Sequence, residues 1–440
     1  MPSLSTTDAL GLAVTVLGGL HYGYSVGIVG VCSDELQALL GQSTVALSLA
    51  SSLPLLGAFI GSPVSGAVCE RFGRRVGTII GETIILVGSA ICAVPQSWPV
   101  LWMGRVIVGV GIGFCTLAKP VYVKETVSPA RVGPCLAVFA PAVASGLWIA
   151  RTIGSAVSGP SSLPLLMSLA AVPALVILLL AFTCMPETEA WLSRRQATSE
   201  RAGGVDRTSA AQANSGGGGG VDAPLCFGLA AMLGVANQGT GSYLFNVYGS
   251  QLLPLSPAED AMGASANVLG AVLVVPLLAM CRNRVLLAGG LFGMVLTSVT
   301  VVVANVNGGG EPASSEALHM LLFASVLVWS ILYQVGPGGC YYAQVVEVAA
   351  DSQLRPMTIA LGNTLKYGTE FASSLLLIGV TAAYGVEVPI VFFAAVALAS
   401  AVGVLALLPE ANRRFATIDD RGADAAGTGR RRHDDSPALL

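Results

Sequence analysis

Twelve apolar runs, each close to the length that crosses a bilayer, take up most of this 440-residue chain. They cover 9–31, 44–68, 76–95, 100–122, 134–157, 163–184, 224–247, 262–281, 285–305, 317–345, 357–384 and 389–408. A helix needs about 20 apolar residues to cross roughly 30 Å of hydrocarbon, so each run predicts a spanning helix. Hydrophobic residues make up 54% of the chain and charged residues 11%. A soluble domain carries about 25% charged residues, and one or two soluble cores cannot hide this much apolar surface. Soluble enzymes, disordered chains and nucleic-acid binders are thereby excluded. The expected fold is an all-α membrane protein of twelve transmembrane helices, and the lipid bilayer is its first partner.

The nine cysteines are scattered without a CxxC pair, and His21, His319 and His433 have no ligand spacing. They predict neither a disulfide framework nor a metal site, and no cofactor is expected. The first run reads as a retained helix, since no basic segment precedes it.

Loop charge alternates sharply. Of the 22 basic residues, 18 fall after even-numbered runs or in the tail, and none falls in the loops on the other side. The positive-inside rule then puts both termini and the central loop in the cytoplasm. That central segment, 185–223, contains Gly216 to Gly220 and reads as a flexible linker. The expected organisation is a six-helix half (1–184), the linker (185–223), a second half (224–408) and a cytoplasmic tail (409–440).

The halves resemble each other. Arg75, Glu125, Arg131 and Pro186 find counterparts in Arg284, Glu347, Arg355 and Pro409, at offsets of 209, 222, 224 and 223 residues. The last three agree closely and the first implies an indel between the eighth and tenth helices; a near-constant offset between halves of equal orientation indicates a parallel repeat, an arrangement that puts a substrate site near the midplane between the halves.

Several strings resemble the sugar porters of the major facilitator superfamily. Gly66-Ala-Val-Cys-Glu70-Arg71-Phe-Gly73-Arg74-Arg75 is similar to that superfamily's G-x-x-x-D-R-x-G-R-R, with Glu for Asp. Gly104-Arg105, Gly109, Gly111 and Gly113, then Pro120-Val-Tyr122 and Glu125, resemble the fourth-helix motif; Pro186-Glu187 and Pro409-Glu410 resemble the motifs that close each half. Tyr22 to Gly27, Asn237 to Gly241, Asn267 and Gly336-Pro337 add matches in the family's order. The resemblance implies a conformational charge network of Glu70, Arg71, Arg74, Arg75, Glu125, Arg131 and Glu187 in the first half. In the second half it implies Arg282, Arg284, Glu347, Arg355 and Glu410. These pairs are expected to hold one conformation and break in the other.

The resemblance also implies sugar-binding positions at Gln238, Asn267, Tyr243, Tyr248 and Tyr367. Ala140 stands where the family has a glutamine, and Cys340 near its tryptophan. Lys366 and Glu370 stand where the family has asparagines; four residues apart, they share a helix face and can pair. A mid-membrane charge costs roughly 2.5–3.5 kcal/mol on the insertion scale, so both are candidate substrate contacts. Glu82 and Arg151 are charges set apart in their apolar runs, and Arg151 is expected to snorkel. Proton-coupled members carry an acid where this chain has Ser25, which cannot relay protons; Glu82 or Glu370 in its place is the alternative. The function implied is sugar (hexose-like) transport by alternating access, as facilitated diffusion, by a monomer in the plasma membrane. A polyol or organic anion as cargo, and a non-transporting sugar sensor, are the alternatives. No nucleophile–base pair or phosphate loop suggests an enzyme.

Overall fold

The computed structural model describes residues 5–157, 159–202, 223–247, 253, 255–307, 316–350 and 355–408. The first six runs become α1 Thr6–Val31, α2 Thr44–Phe72, α3 Arg74–Ala93, α4 Trp98–Thr126, α5 Phe139–Ala156 and α6 Ala171–Thr183. The last six become α7 Ala223–Gln238, α8 Pro257–Met280, α9 Asn283–Asn307, α10 Glu316–Tyr333, α11 Arg355–Tyr384 and α12 Glu387–Leu407. Among the described residues, ten helical segments are long and apolar enough to cross a membrane. The two that miss that measure are α7, which breaks before it is long enough, and α11, which carries Lys366 and Glu370. Short helices lead into α5 (Pro129–Ala137) and α6 (Leu163–Leu169), and others extend α7 (Ser242–Val247) and α10 (Gly339–Ala350).

Helix starts follow local chemistry. Ser5 and Ser43 cap α1 and α2 by accepting the backbone N–H groups of Asp8 and Ala46. Ser256 and Glu259 form a reciprocal capping box ahead of α8, with Pro257 in the first turn. Between α2 and α3 the chain reverses through Gly73 alone, at φ 104°, a left-handed conformation that glycine adopts without a Cβ penalty.

The packing shows the repeat that the offsets imply. Helix α1 packs on α5, α2 on α4, and α3 on α4 and α6; six helices later, α7 packs on α11, α8 on α10, and α9 on α10 and α12. The two sixes meet along α2–α11 and α5–α8. Moving six helices along exchanges these two contacts, as a two-fold related interface requires. Close approach uses small residues, since lipid supplies no hydrophobic drive for helix association. Gly57 of α2 lies against the Val106 carbonyl, and Gly109 of α4 against the Pro54 carbonyl, so a methyl group at either would overlap backbone.

Two helices of the second six break at the same level. Helix α7 stops at Gln238 and resumes at Ser242 after Gly241, which has φ 83°. Helix α10 passes through one wide turn, Gln334–Gly338, where Gly336 leaves helical geometry and Pro337 has no N–H to give. Asn237 Nδ2 donates to the Pro337 carbonyl at 2.6 Å and so ties the breaks together. Broken backbone at membrane depth is tolerated where protein or a cavity surrounds it.

Residues 189–202, expected within the flexible linker, are helical (Glu189–Ala202). The Trp191 indole anchors them by donating to the Glu70 carbonyl at 2.8 Å. Gly216 to Gly220 and the tail from 409 lie outside the described residues.

Candidate functional site

A cavity of about 100 Å³ lies between the two sixes, where α1 and α5 face α7, α8, α10 and α11. Its polar wall contains Gln238, Ser242, Tyr243, Asn237, Asn267, Gln334, Tyr22, Tyr333, Tyr342, Lys366 and Glu370. Phe139, Val143 and Leu147 supply an apolar side. A few convergent polar groups on an otherwise apolar wall make a small-molecule site. The volume is below the roughly 300–1,000 Å³ of ligand pockets, so a sugar-sized ligand requires the walls to separate.

Of the expected contacts, Gln238, Tyr243, Asn267, Lys366 and Glu370 therefore share one cavity. Tyr248 lies outside the described residues. Tyr367 does not reach the wall: it is fully buried behind Tyr22, with the two rings edge to face at 6.1 Å. Ala140 takes its place in the wall where an amide side chain is missing. Gln334, Tyr22 and Tyr342 complete the site without having been singled out as contacts. The sequence signal for Gln334 was its place two residues before Gly336-Pro337.

Several wall groups already have partners. Ser242 Oγ bonds Gln238 Oε1, and the Gln334 amide donates to Asn267 Oδ1. The buried Asn237 Oδ1 and the Tyr342 hydroxyl have no hydrogen-bond partner, which leaves an acceptor and a hydroxyl for a ligand.

Lys366 and Glu370 share a helix face but do not pair as expected. Among the described residues no carboxylate lies within ion-pairing distance of Lys366. Its Nζ sits instead among tyrosine rings, 4.7 Å from the centroid of Tyr367, 5.3 Å from those of Tyr22 and Tyr342, and 5.5 Å from that of Tyr341. Ring quadrupoles hold a cation there. Glu370 Oε2 accepts one long bond, from the Tyr22 hydroxyl at 3.5 Å.

Hydrogen bonds between the two sixes lie toward both ends of the cavity. Toward the start of α2, the Tyr243 hydroxyl donates to the Ser51 carbonyl at 3.0 Å. Toward the arginine-rich end, Asn363 Nδ2 of α11 donates to the Thr116 carbonyl of α4 at 3.1 Å, and the Tyr341 hydroxyl supports Asn363 Oδ1 at 3.0 Å.

At the arginine-rich end the expected charge residues are drawn together within the first six helices. The buried Arg74 guanidinium reaches Glu125 Oε1 at 2.9 Å and Glu70 Oε1 at 3.6 Å, and it donates to the Cys69 carbonyl. Among the described residues, Glu187 meets no guanidinium. It accepts the backbone N–H of Arg74 at 2.8 Å and of Arg75 at 3.1 Å, and so caps α3 with an anion where its dipole favours one. Arg75 donates to the Ala181 and Phe182 carbonyls at the end of α6. Arg71 lies over the Phe72 ring. Arg131 pairs with Asp8 at 2.6 Å, a partner the motifs do not show; Thr188 and Arg194 also join the network, at Glu125.

In the second six, the Arg282 carbonyl accepts the N–H groups that start α9, and Arg284 Nε is buried without a hydrogen-bond partner. Glu347 lies in the half-buried part of the segment extending α10. The Arg355 side chain and Glu410 lie outside the described residues.

A larger groove of about 870 Å³ lies between α2, α7, α11 and α12. Thr369 and Ser373 are its polar side chains, and Phe59, Leu376 and Phe392 open it toward the lipid face. Its chemistry suits hydrocarbon.

The profile of the family described as "Sugar (and other) transporter" matches residues 12–215 and 225–419. The chain is 32% identical over 185 residues to the "Probable metabolite transport protein CsbC" of Bacillus subtilis, which covers 42% of this chain and 40% of that protein. It is 32% identical over 181 residues to "Myo-inositol transporter 3C" of Cryptococcus neoformans, covering 40% and 30%. It is 34% identical over 189 residues to "Proton myo-inositol cotransporter hmit-1.2" of Caenorhabditis elegans, covering 41% and 30%. The matches thus span less than half the length of these relatives. In fold, the chain superposes on the proton:xylose symporter XylE bound to 6-bromo-6-deoxy-D-glucose with a TM-score of 0.77 at 18% identity, covering 93% of this chain and 97% of that one.

Proposed function

The chain belongs to the sugar (and other) transporter family, the sugar porters of the major facilitator superfamily, and we propose that it carries a hexose-like sugar or polyol across a membrane by alternating access. The observation that carries this reading is the central cavity: hydroxyl, amide and charged side chains from both sixes converge on it, and an inter-half hydrogen bond lies toward each end of the bundle. Exchanging one of these bonds for the other would expose the site to alternate faces. Residues 1–184 and 224–408 are the two moving halves, joined by the 185–223 linker.

The arginine-rich end faces the cytoplasm, by the positive-inside rule, with both termini on that side. The plasma membrane is the proposed location and a monomer the working unit. The charge pairs around Arg74, with their second-half counterparts, hold one conformation and release in the other.

Transport is facilitated diffusion. Ser25, which cannot relay protons, stands on α1 where proton-coupled members carry an acid, its hydroxyl 3.2 Å from His21 Nε2. The test is uptake of labelled hexoses and inositol into proteoliposomes, with and without an inward proton gradient. Saturable uptake indifferent to the gradient is expected. Accumulation driven by the gradient and lost in Glu370→Gln would overturn the facilitator reading; no uptake of any probe by folded protein would overturn sugar and polyol transport.

A further inference from the structure

The central cavity has two charged groups in its described wall, and they are of opposite sign: Lys366 and Glu370. Both are about nineteen-twentieths buried, at 4% and 5% exposure. Neither satisfies the other. Among the described residues Lys366 has no ion-pair partner and packs against tyrosine ring faces, while Glu370 has a single long bond from Tyr22.

A buried charge stripped of water needs charge-assisted hydrogen bonds from whatever fills the space. A solute in this cavity therefore meets an ammonium that only donates and a carboxylate that only accepts. A hydroxyl serves both, because it accepts from Lys366 and donates to Glu370. A carboxylate-bearing solute would satisfy Lys366 and be repelled by Glu370; an amine would satisfy Glu370 and be repelled by Lys366. The next buried ions do not alter this balance. Lys119 and Glu82 cancel each other at 2.6 Å, and Arg105 turns away to the Ala50 carbonyl.

We propose that Lys366 and Glu370 form a net-neutral charge filter, which selects an uncharged polyhydroxylated solute and rejects its acidic and amino counterparts. This rests on the central cavity being the transport site. It removes the organic anion as cargo and gives both charges a role in specificity.

The test uses the full chain in proteoliposomes. The tracer is whichever of labelled glucose or myo-inositol the wild type takes up, and the competitors are glucuronate and glucosamine. In the wild type neither competitor should inhibit at concentrations where the unlabelled neutral solute does. Glu370→Gln leaves a net positive site, and glucuronate should gain about tenfold in potency. Lys366→Met leaves a net negative site, and glucosamine should gain similarly. The double variant should again prefer the neutral solute, with weaker affinity.

Wild-type inhibition by glucuronate or glucosamine as strong as by the neutral solute would overturn the filter whether or not the variants fold. Active single variants with unchanged selectivity would overturn it while leaving transport intact. Absence of any wild-type uptake would overturn both, and a gain in the predicted direction in either single variant supports the filter.

Discussion

Lys119 Nζ lies 2.6 Å from Glu82 Oε1, and this ion pair between α4 and α3 is buried on both sides. Cys115 Sγ donates to the same carboxylate oxygen at 3.3 Å, and Glu82 Oε2 has no hydrogen-bond partner. Removing one member leaves an uncompensated charge in the bundle, so Glu82→Gln or Lys119→Met alone should destabilise the protein by about 3–5 kcal/mol. The double variant, which leaves no charge behind, should recover most of that loss. Thermal unfolding of purified protein in detergent gives the cycle, and additive single effects would show that the pair is not coupled.

Gly73 and Glu187 form a second coupled unit. The φ of 104° excludes a side chain without strain, and a Cβ at Gly73 would overlap the Glu187 carboxylate. Gly73→Ala should cost about 1–3 kcal/mol from this glycine-only backbone conformation alone, plus whatever is lost as Glu187 leaves the α3 terminus. Glu187→Gln keeps an acceptor but not the charge and should cost roughly 0.3–1 kcal/mol. In Gly73→Ala, Glu187→Gln should add little, because the cap is already displaced. The same unfolding series reads all three.

Much of this was legible in sequence, for identifiable reasons. The runs set the helices because bilayer thickness leaves little choice of length, and the constant offsets set the repeat that α2–α11 and α5–α8 embody. The string Gly66 to Arg75 located the arginine-rich corner, since its turn needs Gly73. What each charge touches was not legible. Glu82 looked solitary because its partner is 37 residues away in another helix. Asp8, the partner of Arg131, sits in the first turn of α1 with no motif around it. Spacing put Lys366 and Glu370 on one face, but side-chain packing decides whether such a pair closes, and tyrosines from α1 and α10 hold Lys366 elsewhere. Glu187 was expected to meet an arginine and caps a helix instead, because the α3 N–H groups lie nearer.

Outside the spanning segment that starts at Ala261, Glu259 is held below the usual carboxylate range, chiefly by the Ser256 backbone N–H and then by its hydroxyl, with His319 Nε2 also bonded at 2.7 Å. A carboxylate whose folded pKa is depressed adds stability above its unfolded pKa and loses it as pH falls through the folded one. The capping box should therefore weaken on acidification below about pH 4.5. Glu259→Gln should lower the melting temperature near neutral pH and flatten its decline over the acid range. A variant that keeps the wild-type slope would show that other carboxylates govern it.

The two inter-half bonds should bias the protein in opposite directions. Tyr243→Phe deletes the hydroxyl that reaches Ser51 and keeps the ring, so it weakens closure at the end away from the arginines. Asn363→Leu deletes the donor to Thr116 and weakens the arginine-rich end. A net hydrogen bond contributes about 0.5–1.5 kcal/mol, which moves a two-state population two- to tenfold. The readout is the rate at which single cysteines at Val143 or Ala140, in the cavity wall, react with impermeant thiol reagents applied to each face of proteoliposomes. Tyr243→Phe should raise labelling from the Ser51 end and lower it from the arginine-rich end, and Asn363→Leu should do the reverse. If both variants shift labelling toward the same face, these bonds are packing contacts and do not act as opposed closures.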